Sequence, residues 1–307
     1  MKKLNLFLLL IAVALFSFDA PAQTALRYNL KVGETYLLKQ HTTQAIEQNI
    51  SGMSQNVSTT IAGDISIKIN DKSSEVYTSE LVFESMLFKL EAAMMNMSYD
   101  SNDANADPNN PLNKTFSLIV GHKFQMKFDE RGNVLEVKGF EAVLEKLSTA
   151  FGDNPQQAAM MKQQLSGQFS DESMKHTMSS MLIIYPVEKV KVGSKWTTNT
   201  QLVQPVPIDN TFNYNVDAVS GNEVKLSGSG TMATKEGQSV EQMGMTQHFN
   251  LKGDVSFTAN INAKTGWPTE VKLTQSLDGN VAIESAQLPA PMEMPMKIKT
   301  ESTYTSM

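Results

Sequence analysis

The chain has 307 residues, a net charge of −6 and no cysteine. That length leaves room for one large domain or two of ordinary size. The acidic balance argues against nucleic acid, which needs a clustered positive surface, and the missing thiols exclude disulfides, thiol catalysis, cysteine–zinc sites and lipidation of an N-terminal cysteine.

Residues 1–22 read as an export signal. Lys2 and Lys3 form the charged start, Leu4 to Phe18 is almost wholly apolar, and Ala20-Pro21-Ala22 is a small-residue cleavage site with Gln23 as the mature start. The apolar run is short for a membrane span, and no other stretch is long enough for one. The expected destination is the periplasm or the extracellular space, with no transmembrane span after signal removal.

Residues 23–139 form a first β-rich half. It opens with Leu30-Lys31-Val32-Gly33-Glu34-Thr35-Tyr36, an apolar residue, Lys-Val-Gly, two polar residues and an aromatic that starts a strand. Polar, β-tolerant residues run to about Ile50, and Gly52 breaks them. Val57, Thr59 and Ile61, then Ile65, Ile67 and Ile69, alternate with period two, the mark of a strand with one buried face. Asn70 to Ser74 reads as a hairpin loop, and Val76 to about Phe88 returns as a strand. Leu90 to Tyr99 fits helix or strand, with the flanks favouring strand. Asp100 to Asn113 has no apolar period and reads as an exposed loop. Strands are expected at Phe116–Ile119, Phe124–Phe128 and, after the Asp129–Asn133 turn, Val134–Val137.

The period changes over 140–185. Phe140, Val143, Leu144 and Leu147 fall at helical spacing. Asn154 with Pro155 reads as a cap with proline in the first turn, followed by an apolar stripe of Ala158, Met161 and Leu165. Ser170-Asp171-Glu172 opens another helix, acidic where the helix dipole favours it. Its stripe is Met174, Met178, Met181 and Leu182, and Pro186 ends it near Tyr185. This segment is expected to be a helical connector or lid.

Residues 186–307 form a second β-rich half, opened by a second copy of the phrase, Val190-Lys191-Val192-Gly193-Ser194-Lys195-Trp196. Strands are expected from Trp196 to Val203, through Phe212, Tyr214 and Val216, through Val224 and Leu226, and through Val255 to Ile261. Val271 and Leu273 answer across the Lys264-Thr265-Gly266 turn. Leu288 to Pro295 reads as a proline-rich loop, and Met296 onward as a last strand. The fold class is therefore mainly β: two related antiparallel, curved-sheet halves, half-barrel-like, or one continuous sheet, with the helical segment packed on them.

Three stretches also resemble a known family. Tyr28 to Tyr36, Met97-Ser98-Tyr99-Asp100-Ser101 and Gly132 to Gly139 are similar to exported bacterial proteins classed only as a domain of unknown function. The resemblance implies an exported β-rich domain. It supplies no activity and no functional residues.

The search for chemistry returns little. Ser227-Gly228-Ser229-Gly230 lacks the strand-to-helix setting of a nucleophile elbow. His41, His122, His176 and His248 form no metal-binding pair. The acidic loop from Asp100 places Asn105 and Pro111 where a calcium loop needs glycine and glutamate. Asp129-Glu130 is read as part of a turn. No catalytic, cofactor or metal site is expected.

Methionine is the anomaly, with 19 residues. Met292, Met294 and Met296 share one side of an extended segment, Met243 and Met245 lie near His248, and Met94, Met95 and Met97 cluster. Soft thioethers suit Cu(I), but Met also fills irregular apolar surface and adapts to variable ligands. Met174, Met178, Met181 and Leu182 are the candidate lining of an apolar-ligand site. The leading reading is a non-enzymatic exported protein that binds a lipid or similar molecule between curved sheet and helices. A structural or protein-interaction module of the cell envelope, partnered by another envelope protein, and a hydrolase with a dispersed carboxylate site are the alternatives. Mass spectrometry of the exported form is expected to find Gln23 as the first residue; an intact Met1 would refute the export reading.

Overall fold

The computed structural model describes residues 23–307 except 51, 94, 108–109, 151–155, 157–158, 160–161, 163–168, 203–205, 243 and 288–289. The alternating stretches form strands β1 (Thr35–Ile50), β2 (Met53–Ser73), β3 (Val76–Phe83), β4 (Leu87–Ala92), β5 (Met95–Asp100), β6 (Lys123–Asp129) and β7 (Val134–Lys138). After these come β8 (Lys195–Leu202), β9 (Ile208–Ser220), β10 (Glu223–Thr234), β11 (Ser239–Gln242), β12 (Met245–Asn262), β13 (Pro268–Ser285) and β14 (Met292–Ser306). The described helices of the element order are α1 (Pro111–Phe116), α2 (Phe140–Ala150) and α3 (Asp171–Met181).

The strands make one antiparallel sheet in the order β7-β6-β3-β2-β1-β14-β13-β12-β10-β9-β8, with β4 on β2, β5 on β4 and β11 on β12. It is not closed into a barrel. The chain starts in the middle of the sheet, walks outward to β7, crosses to β8 at the opposite end, and walks back until β14 pairs with β1 from Leu38↔Ser306 to Gln48↔Met296. Helix α3 packs against both end strands, β7 and β8. One helix can touch both ends only if the sheet curls round to it.

The two copies of the repeated phrase make matching turns. Gly33 and Gly193 have φ of 90° and 82°. Their N–H groups donate to Ile69 O and Val216 O, each at 2.8 Å, on the second strand after each turn, β2 and β9. Ile69 and Val216 donate back to Glu34 and Ser194, each at 3.0 Å.

Two extended segments seal one end of the sheet. Residues 24–30 and 182–190 meet at the Thr24↔Val190 bridge. Tyr28 N–H donates to Glu130 O at 2.7 Å and Asn29 N–H to Thr265 O at 2.8 Å. Tyr185 N–H donates to Arg131 O at 2.8 Å, and its hydroxyl to Gly266 O at 2.6 Å. Both segments therefore join the β6–β7 turn to the β12–β13 turn. The rings of Tyr28 and Tyr185, 5.1 Å apart, are fully buried with Phe128 and Tyr77.

Several local expectations are corrected. Phe116–Ile119 is not a strand. Asn110 Oδ1 accepts the Leu112 N–H and Pro111 starts a helix, so Phe116 ends α1, and residues 117–119 are a turn. The ambiguous Leu90–Tyr99 stretch is the β4–β5 hairpin. Ser170 caps α3 as read, accepting the Ser173 N–H. The helix stops at Met181, short of Tyr185, because Ile183 N–H goes to the Tyr28 hydroxyl at 3.0 Å and Tyr185 N–H to Arg131. Met292–Pro295 belongs to β14 rather than to a loop. Pro295 lies just past the last β1 partner, Gln48↔Met296, where its missing N–H leaves no ladder bond unmade on that side. The Asn154–Pro155 cap lies outside the described residues, as do Ala158, Met161 and Leu165.

The curl has a visible cause. Gly230, Gly253 and Gly279 step diagonally across β10, β12 and β13, since Gly230 faces Val255 while Gly253 faces Leu277. A Cβ on Gly253 would lie 1.7 Å from Ser276 O, and one on Gly230 1.8 Å from Thr211 O. The neighbouring strand occupies the side-chain position, as at a sharp bend in a coiled sheet. Gly253→Ala is expected to lower stability by about 1–3 kcal/mol, the usual cost of forcing atoms into filled space. Ser256→Ala, exposed on the same strand, should change it by less than about 0.5 kcal/mol. Urea unfolding of both variants checks this.

Candidate functional site

The inner face of the curl is assembled by strand alternation. On β14 the inward positions are Met292, Met294, Met296, Ile298, Thr300, Ser302 and Tyr304, and the register carries each row across to β1 and β13. Gln40, Tyr304 and Val271 make one row, Thr42, Ser302 and Leu273 the next, and Gln44, Thr300 and Gln275 a third. The following row, Ile46, Ile298 and Leu277, is apolar again. The face thus carries a polar belt between two apolar zones.

A cavity of about 230 Å³ lies between this face and the end of α3. The helix side supplies Ser179 to Ile184, and the sheet supplies Phe212 and Tyr214 from β9, Phe257 from β12, and Val271 and Leu273 from β13. The belt residues Gln40, Thr42, Thr300 and Ser302 form part of the wall. Among the described residues no charged side chain lines it. The belt is largely self-satisfied. Gln40 Nε2 donates to Thr42 Oγ1 at 3.3 Å, Thr42 Oγ1 to Ser302 Oγ at 3.0 Å and Gln44 Nε2 to Thr300 Oγ1 at 3.2 Å. Burial raises the pKa of the Tyr304 phenol, with hydrogen bonds to Thr42 and Ser302 pulling the other way. Burial likewise raises Tyr214 against hydrogen bonds to Thr198 and Ile184. Both phenols stay neutral across the physiological range.

The four candidate lining residues divide. Met174 and Met178 are buried in the main core, 6% and 3% exposed. Met181 and Leu182 line the cavity. The Met292, Met294 and Met296 row packs around Val281 and Ile283, an apolar setting, and Met243 and Met94 lie outside the described residues. Among the described residues no three His, Asp or Glu side chains converge as metal ligands. His176 Nδ1 lies 3.0 Å from Gln201 O and its Nε2 3.2 Å from Glu172 Oε1.

The sheet side of the wall went unnoticed in the sequence, Asn210 with it. Asn210 is 3% exposed and lines the cavity. It stands in phase with Phe212, Tyr214 and Val216, so a polar residue on the inward phase of β9 was the available signal.

A family model matches residues 74–268, well over half of the chain. The chain belongs to the Family of unknown function (DUF6263). No curated protein matches it. Among solved structures, this member of DUF6263 is similar to the one described as "Lipid-protein interactions in lipovitellin", with 9% identity and a TM-score of 0.50 over 90% of this chain and 25% of that one. It spans about a quarter of the length of that lipovitellin chain. OccK5 (OpdH) of Pseudomonas aeruginosa aligns at 7% identity and a TM-score of 0.24, over 90% of this chain and 99% of that one. The outer membrane protein OprG of the same organism aligns at 5% identity and a TM-score of 0.24, over 90% and 97%. The lipovitellin likeness bears on fold alone, and scores of 0.24 carry no argument.

The split of the methionine stripe is testable. Met178→Ala is expected to cost about 2–5 kcal/mol, as large-to-small core changes do, and Met181→Ala distinctly less, because one side of Met181 faces open space. Chemical denaturation of the two variants compares them directly.

Proposed function

We propose that this protein is an exported, non-enzymatic carrier that holds an apolar molecule, such as a lipid or a lipoprotein acyl chain, between its curved sheet and helix α3. The observation that carries the reading is the uncharged cavity between Met181, Leu182 and the inner sheet face. Sheet faces of this kind are ordinarily filled by side chains or covered by a helix; here space is left at the end of the helix. The volume is below the roughly 300–1,000 Å³ of drug-sized sites. It suits one end of a ligand, with the rest lying along the apolar row of Ile46, Ile298 and Leu277.

The lipovitellin structure supports the reading as an analogy only, because it is described by the words "Lipid-protein interactions in lipovitellin". Lys2, Lys3 and the apolar run before Ala20-Pro21-Ala22 support export to the periplasm or beyond. The matching Gly33 and Gly193 turns support an origin of the two β-rich stretches, 23–139 and 186–307, as copies of one unit. The carboxylate-hydrolase alternative finds no Asp or Glu on the cavity wall among the described residues.

The test is binding of the apolar fluorophore N-phenyl-1-naphthylamine to residues 23–307, with lipid extraction of the gently purified protein alongside. The wild type should take up the probe and release an extractable lipid. Leu273→Asp should weaken uptake about ten-fold or more, since it buries an unpaired charge in the wall. A folded wild type that binds no probe and yields no lipid would overturn the proposal.

A further inference from the structure

We infer that the Asn210 carboxamide is the polar anchor of the cavity, and that its ligand is an uncharged amphiphile presenting a hydrogen-bond donor, an alcohol hydroxyl or an amide N–H. This rests on the apolar-ligand reading and adds the chemistry of the ligand's polar end.

Asn210 sits on β9 between Ile208 and Phe212 and faces Met232 on β10 and Thr200 on β8. Its Oδ1 is buried and has no hydrogen-bond partner. Among the lining residues it is alone in this: the Gln40, Thr42 and Ser302 groups across the cavity bond to one another. Buried acceptors are nearly always satisfied in folded proteins, and each exception asks for a missing partner or a function. An unpaired acceptor in a lining whose described residues are all uncharged selects a donor. Among the described residues the wall has no cation to match a carboxylate or phosphate and no anion to match an amine, so a charged head group would be buried without compensation. A neutral donor satisfies both conditions.

The experiment is isothermal titration of residues 23–307 with three ligands of one chain length: 1-decanol, decyl methyl ether and decanoate. The ether keeps the oxygen and lacks the donor; decanoate adds the charge. Decanol is expected to bind about ten-fold more tightly than either, the scale of one well-made neutral hydrogen bond in a dry site. Asn210→Leu should bring decanol to the level of the ether and leave the ether unchanged. That variant should melt no lower than the wild type, because it removes an orphaned buried acceptor. Equal binding of decanol and ether by the wild type would overturn the inference while leaving the carrier reading standing, and needs no variant. A decanol preference that survives Asn210→Leu would overturn the role of Asn210. Failure of all three ligands to bind the folded wild type would overturn both readings together.

Discussion

The structure depends on the clamp at the sealed end of the sheet. Tyr28 and Tyr185 each reach two turns that belong to distant strands, and each is wholly buried while doing so. Their phenols are driven far above the ordinary pKa by burial and so remain neutral donors and acceptors. The Tyr28 hydroxyl accepts Ile183 N–H, and the Tyr77 hydroxyl donates to Tyr28 O at 2.9 Å. Loss of any of these would strand a buried backbone group, a cost of about 1–3 kcal/mol each. The clamp is narrow, and the turns leave no slack for it. A Cβ on Gly266 would come within 2.0 Å of Arg27 O, and one on Gly132 within 2.3 Å of Ile183 O. Glycine at both turns is what lets the two extended segments lie against them.

Given that fixed end, the rest of the sheet is free to curl, and two features set how far. The glycine diagonal on β10, β12 and β13 bends one wing inward. Helix α3, tied to α2 by Asp171 Oδ1 accepting the Phe140 N–H at 2.8 Å, fills the gap between the end strands. The helix buries Met174 and Met178 and then stops, because the Tyr28 hydroxyl and Arg131 carbonyl take the next amides. The cavity exists because the helix ends there. Closing it would require another helical turn, which those hydrogen bonds forbid.

Much of the fold was legible in the sequence because it is written in short-range pattern. Period-two stretches such as Ile65, Ile67 and Ile69 became strands, Ser170 became a cap, and the Met174–Met178 stripe became a buried helix face. What was not legible depends on distant partners. Phe116 looked like a strand residue because aromatic and apolar neighbours outweighed the Asn110–Pro111 start signal. The length of α3 is decided by Tyr28, more than 140 positions earlier in the chain. Whether the β-rich stretches share a sheet turns on the pairing of β1 with β14, about which neither strand's own residues say anything. The candidate site was half legible: the stripe placed Met181 and Leu182 on the right face, while Asn210 was passed over among its alternating aromatic neighbours.

The β1–β14 seam gives this topology a particular order of events. Within each wing most ladder neighbours follow one another in sequence, β3–β6 and β10–β12 being the pairs with other strands inserted between them, so much of each wing can zip as local hairpins. The seam joins the first strand to the last, and its loop-closure entropy must be met before any of its eleven register pairs, Leu38↔Ser306 to Gln48↔Met296, contributes. Until then β1 and β14 both stand as open edges, long enough to pair with another chain. Lys39 and Glu47 on β1, with Lys297, Lys299 and Glu301 on β14, place charges along the outer side of those two edges, the usual protection against such pairing. The seam is therefore both the last part of the sheet to form and the part most in need of guarding while it waits.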